Sequence, residues 1–112
     1  MIELTIKKYL EDKLKIPVVF EIASDFNKKK FVLIEKLGSN NQDKLYRSSY
    51  AFKVYDESLY KTMVLSNLVK SKIEEMIELS DFAKIKIDTD YNFTDTETKK
   101  YRYQIVVDIW HY

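Results

Sequence analysis

A chain of 112 residues with 46% hydrophobic and 33% charged residues is long enough for one core and too apolar for disorder, so a single domain over residues 1–112 is expected. Its net charge of +1 gives no strong electrostatic case for nucleic acid, a membrane surface or an acidic substrate as partner. With no Cys and a single Gly, disulfides, thiolate metal sites, thiol nucleophiles and glycine-rich phosphate cradles are excluded.

The opening, Met1 to Lys8, has an early acid and no continuous apolar core, so no signal peptide is expected. No apolar run approaches the length of a membrane span. The absence of Cys fits an intracellular protein. Nine Tyr and six Phe beside one Gly and one Pro suggest long regular elements joined by polar turns. Tyr also suits interfaces, where one end of the ring stays wet.

The first expected element is a helix over about Ile2 to Leu14, with Ile2, Ile6, Tyr9 and Leu10 on one face. Glu3 and Lys13 suit its dipole, and Pro17 is expected to end it. Val18 to Ala23 reads as a short strand with Val18, Phe20 and Ile22 on one face. Lys28, Lys29 and Lys30 then read as a solvated loop tip, since no second basic cluster supports a phosphate site. Phe31 to Leu37 opens with a continuous apolar run, which suggests a strand covered on both faces and central in its sheet. Gly38 to Lys44 is the most polar stretch and reads as a flexible loop that could order on assembly.

A long strand follows over about Leu45 to Tyr55, with Tyr46, Tyr50, Phe52 and Val54 on one face. Asp56 is placed to cap a second helix that runs to about Leu79. Leu65, Leu68, Val69, Ile73, Met76 and Leu79 form its apolar side. At about 100° per residue, Tyr60, Met63 and Val64 point where the later turns are polar. They are either buried on a second side within the fold or meet another subunit.

Phe82 to Phe93 alternates cleanly, with Ile85, Ile87, Tyr91 and Phe93 on one face and Lys84, Lys86, Asp88 and Asp90 on the other. After a turn over Thr94 to Lys100, the last strand sets Tyr101, Tyr103, Ile105, Val107 and Ile109 against Arg102, Gln104, Val106, Asp108, Trp110 and Tyr112. The order α-β-β-β-α-β-β, with runs of strands between helices, argues an α+β domain with a mainly antiparallel sheet and two helices packed on it.

No catalytic constellation stands out, and no enzyme or cofactor is expected. Asp88, Asp90, Asn92 and Asp95 begin like a calcium loop, but Phe93 stands where that loop needs Gly and Lys99 where it needs a bidentate Glu. His111, the only His, suits packing at a strand end better than a Ser-His-acid triad. Tyr101, Arg102 and Tyr103 look like part of a single-strand nucleic-acid platform, yet both Tyr rings fall on the apolar face. A small protein- or single-stranded nucleic-acid-binding module is the alternative reading; specific nucleic-acid binding is not expected.

Two blocks carry a family resemblance: Tyr55-Asp56-Glu57-Ser58-Leu59-Tyr60, and Asp90-Tyr91-Asn92-Phe93-Thr94-Asp95-Thr96 through Lys99-Lys100-Tyr101-Arg102-Tyr103-Gln104. They resemble small proteins of the structural-gene clusters of tailed phages and prophages of Gram-positive bacteria, placed with head–tail joining and tail-completion (tail-terminator) components. The resemblance implies a non-enzymatic virion protein, assembled in the host bacterial cytoplasm. It implies a ring, commonly a hexamer, that contacts the tail tube and the head connector. A closed ring needs two different patches per subunit. Tyr60, Met63 and Val64 are candidates for one, and Val106, Trp110 and Tyr112 for the other; for Trp110, burial under a helix is the competing reading.

Overall fold

The computed structural model describes residues 1–42 and 44–112. Its elements are α1 (Ile2–Leu14), β1 (Val18–Val19), β2 (Phe31–Gln42), β3 (Leu45–Tyr55), α2 (Leu59–Glu75) with a 3-10 turn (Met76–Glu78), β4 (Phe82–Asn92) and β5 (Arg102–His111). The strands form one sheet in the order β1-β2-β3-β5-β4. Only the short β1–β2 pair is parallel. The domain is therefore α+β, as its element order suggests.

Both helices feed one face of the sheet. Ile6 and Leu10 of α1 and Val69, Ile73 and Met76 of α2 meet Val32, Ile34, Tyr50, Phe52, Val54, Ile105, Val107 and Ile109 in a single core. Burying a side chain such as Phe52 or Ile73 contributes about 1.5–3 kcal/mol. Among the described residues, the other face of the sheet carries no helix.

Helix α1 has the expected bounds but a different stop. Lys15 is left-handed (φ 57°) and its N–H donates to Glu11 O at 2.9 Å, so the helix ends before Pro17 acts. The cap of α2 is Ser58, not Asp56: its side chain accepts from Lys61 N–H at 3.1 Å. Asp56 instead accepts from Glu57 N–H at 2.7 Å.

Three strand expectations are corrected. β1 stops after Val19, leaving Phe20 to Ala23 unpaired. β2 sits next to the edge, is flanked by β1 only at Val32 and Leu33, and leaves Leu33 half-buried on the open face. The loop expected over Gly38 to Lys44 is strand as far as Gln42; Asp43 lies outside the described residues, and Lys44 is left-handed (φ 68°).

The clean alternation of β4 is also broken. Its pairing with β5 shifts between Ile87 and Thr89, which makes Asp88 an extra, bulged residue. One inserted residue exchanges the faces of everything after it. Asp90 thus swings to the helix side and accepts from Lys70 Nζ of α2 at 2.7 Å. Tyr91 swings to the open face, where its hydroxyl accepts from Gln104 Nε2 at 2.6 Å. A similar shift between Lys36 and Gly38 marks β2.

Candidate interaction surfaces

On α2, the residues buried against the sheet are Thr62, Leu65, Ser66, Val69 and Ile73, followed by Met76. Turning about 100° per residue, Tyr60, Met63 and Val64 fall on the opposite side, with Leu68 on its flank. All four are exposed: Tyr60 by 70%, Met63 by 40%, Val64 by 48% and Leu68 by 45%. Leu68 was expected in the core; it sits just beyond the contact with the sheet. Tyr60, Val64 and Leu68 border an open cleft of about 430 Å³ whose rim includes Lys30, Asp56, Glu57 and Lys61. The first trio is thus one continuous stripe on solvent.

Val106, Trp110 and Tyr112 do not form a second stripe. Val106 and Trp110 are half-buried on the open sheet face, and Asp108 stands between them. The Ser49 hydroxyl and Arg47 Nη2 both donate to Asp108, the latter at 3.1 Å, and these bonds, that of Ser49 first, hold its carboxyl below the ordinary carboxylate range. Trp110 does not lie under a helix. Arg47 and Lys84, its partners on β3 and β4, bring their cations 5.2 and 4.8 Å from its ring. Tyr112, 71% exposed, leaves the sheet and lines a cleft at the start of α1 with Met1, Glu3, Lys36, Asp81 and His111.

At that end of the sheet, His111 is 8% exposed and its Nε2 lies 3.1 Å from Ser48 Oγ, itself in a side chain only 1% exposed. Nδ1 of the same ring is buried with no partner among the described residues. A triad would place an acid there and leave the hydroxyl open to substrate. Neither condition holds, so the pair packs the strand end, with the Tyr46 ring stacked on His111 at 5.6 Å. Sequence reading passed over Ser48, although its parity with Tyr46 and Tyr50 places it on the buried face.

Three of the four residues that resembled the start of a metal loop are engaged elsewhere, and Asp88 is the exposed bulge residue. Asp90 holds Lys70, Asn92 Oδ1 accepts from Thr94 N–H at 3.0 Å, and Asp95 accepts from Glu97 and Thr98 N–H. The bond to the Thr98 side chain, then those two backbone donors, keep the Asp95 carboxyl below its ordinary range. Among the described residues no three His, Asp or Glu side chains converge as a metal site. Lys28, Lys29 and Lys30 are exposed in the segment before β2. Arg102 bonds Phe93 O through Nε at 2.6 Å and stacks over the Phe93 ring at 4.4 Å, whereas Tyr103 faces the helix side.

The two blocks that carry the family resemblance meet in space. Tyr55, at the end of β3, pairs with Arg102 at the start of β5, and the guanidinium donates to the Tyr55 hydroxyl at 3.4 Å. One block caps α2 through Ser58 and the other builds the β4–β5 turn, so both fix the same end of the sheet. No helix of the described residues is long and apolar enough to cross a membrane. Compared with known proteins, the chain matches no family model and no curated sequence.

Proposed function

We propose that this chain is a non-enzymatic structural protein that assembles with copies of itself into a ring at the head–tail junction or tail terminus of a tailed phage or prophage. The observation that carries self-assembly is the stripe of Tyr60, Met63, Val64 and Leu68. It is an apolar helix face turned directly away from the core, on a helix whose other face is fully used. An exposed apolar stripe on a helix whose inner side already packs on the sheet is a surface for a further partner to cover. The placement in a virion rests on the resemblance of the two blocks, with tail-tube and head-connector proteins as the partners.

Multi-angle light scattering across concentration, with negative-stain electron microscopy, tests the reading. A defined oligomer with ring-shaped particles is the expected result. A strict monomer at every concentration, alone and with the tail-tube protein, would falsify it.

A further inference from the structure

The segment Phe20-Glu21-Ile22-Ala23 has the alternation of a strand but joins no strand among the described residues: the chain bends at Phe20 and Glu21, Ala23 O accepts from Phe26 N–H at 3.0 Å, and Phe20 and Ile22 are 43% and 47% exposed. One feature disfavours continuing β1 along β2, although Glu35 also accepts from Lys53 Nζ at 2.9 Å. The register Val18↔Val32 and Val19↔Leu33, carried on, would set Glu21 directly opposite Glu35. Like charges facing each other across strands are destabilising. At the far side of the sheet, β4 is the last strand and its outer edge has no partner among the described residues. Its two register shifts, after Phe82 and after Ile87, leave a regular window of four residues, Lys84 to Ile87. There Ile85 and Ile87 are only partly buried, and Lys84 and Lys86 are exposed.

We propose that Phe20–Ala23 of one copy adds as an antiparallel strand to the Lys84–Ile87 edge of a second copy. The contact rests on the self-assembly reading above and gives it a second, separate surface. Strand direction fits. β1 runs with β2, and each later neighbour in the order β2-β3-β5-β4 is antiparallel, so β4 runs against β1. Face parity fits as well. With the bend at Phe20 and Glu21 straightened into a strand, Phe20 and Ile22 take the parity of buried Val18, and Ile85 and Ile87 pair on β5 with buried Ile109 and Val107. Pairing Phe20 with Ile87 and Ile22 with Ile85 therefore joins apolar side chains on the helix side. The same register sets Glu21 against Lys86 on the open face, an opposite-charge pair across the strands. The two partners lie at opposite edges of one sheet, so the contact is head-to-tail and can propagate to closure.

The test uses the absence of Cys in the chain. Glu21→Cys and Lys86→Cys chains are mixed and oxidised, since directly opposed strand positions lie within disulfide reach. A covalent dimer containing one of each, with neither variant cross-linking alone, is expected. In parallel, Glu21→Lys and Lys86→Glu should each lose assembly in light scattering, and the two changes in one chain should restore it. Both positions are exposed, and circular dichroism checks that the variants fold. A wild-type chain that assembles without the mixed disulfide overturns the edge contact and leaves the ring standing. A chain that never assembles overturns both.

Discussion

The inner side of α2 presents Leu65, Val69, Ile73 and Met76 to the sheet, none more than 5% exposed, while the outer side presents Tyr60, Met63, Val64 and Leu68, each at least 40% exposed. The two sets are alike in hydrophobicity and both follow helical spacing. What separates them is the sheet, which can lie on only one side. Apolar periodicity therefore says where a helix can be buried, and topology decides which side the domain itself buries. The surplus side is left on solvent.

Four measurements would break or sharpen this contrast. On the inner side, Ile73→Ala removes a fully buried side chain and should cost about 2–5 kcal/mol in urea unfolding. At the entry to the helix, Ser58→Ala loses the cap bond to Lys61 N–H and should cost about 1 kcal/mol. Under the inner side, burial first, and then the bond it donates to Glu3 at 2.6 Å, keep the Tyr50 phenol protonated well above its usual range. In the unfolded chain Tyr50 ionises near its ordinary value, about 10. The folded value is the higher one, so this contribution is complete below the unfolded value and is lost as pH rises beyond it. Stability measured against pH should therefore fall above about 10, and Tyr50→Phe should flatten that fall. On the outer side, Met63→Lys should change the stability of the monomer by no more than about 0.5 kcal/mol while abolishing the proposed self-assembly, read by light scattering. A loss comparable to that of Ile73→Ala would place Met63 in the core and end the contrast.

Much of this fold was legible where periodicity runs unbroken. Helix α1 was, because Ile2, Ile6, Tyr9 and Leu10 repeat along one face and the charges suit its ends. So was β5, whose alternation from Tyr103 to Ile109 survives intact. β4 was legible only from Lys84 to Ile87, between its two register shifts. The bulge at Asp88 has no signature of its own, and one extra residue moves Tyr91 and Asp90 to faces opposite those that alternation assigns. The polar run after Leu37 reads as a loop because no single residue in it favours a strand. It is held in one by the register with β3, from Gly38↔Ser49 to Gln42↔Leu45, which is a property of the partner. The candidate surfaces divide in the same way. The exposure of Tyr60, Met63 and Val64 on one side of α2 was legible because a helical stripe is local. Tyr112 was misplaced because strand parity fails where the strand ends, and the Phe20–Ala23 segment looked like ordinary strand until β2 declined to pair with it.

Trp110 has a consequence of another kind. It is the only Trp in the chain, and it stands on the helix-free face between Arg47 and Lys84, with two cations instead of a core around its indole. Its emission therefore answers to whatever covers that face. A neighbour that lies across it displaces water and one or both cations, and the spectrum shifts to the blue. Binding at the outer stripe of α2, on the far side of the sheet, leaves the spectrum unchanged. The molecule carries a built-in optical reporter that distinguishes its two broad surfaces without a label.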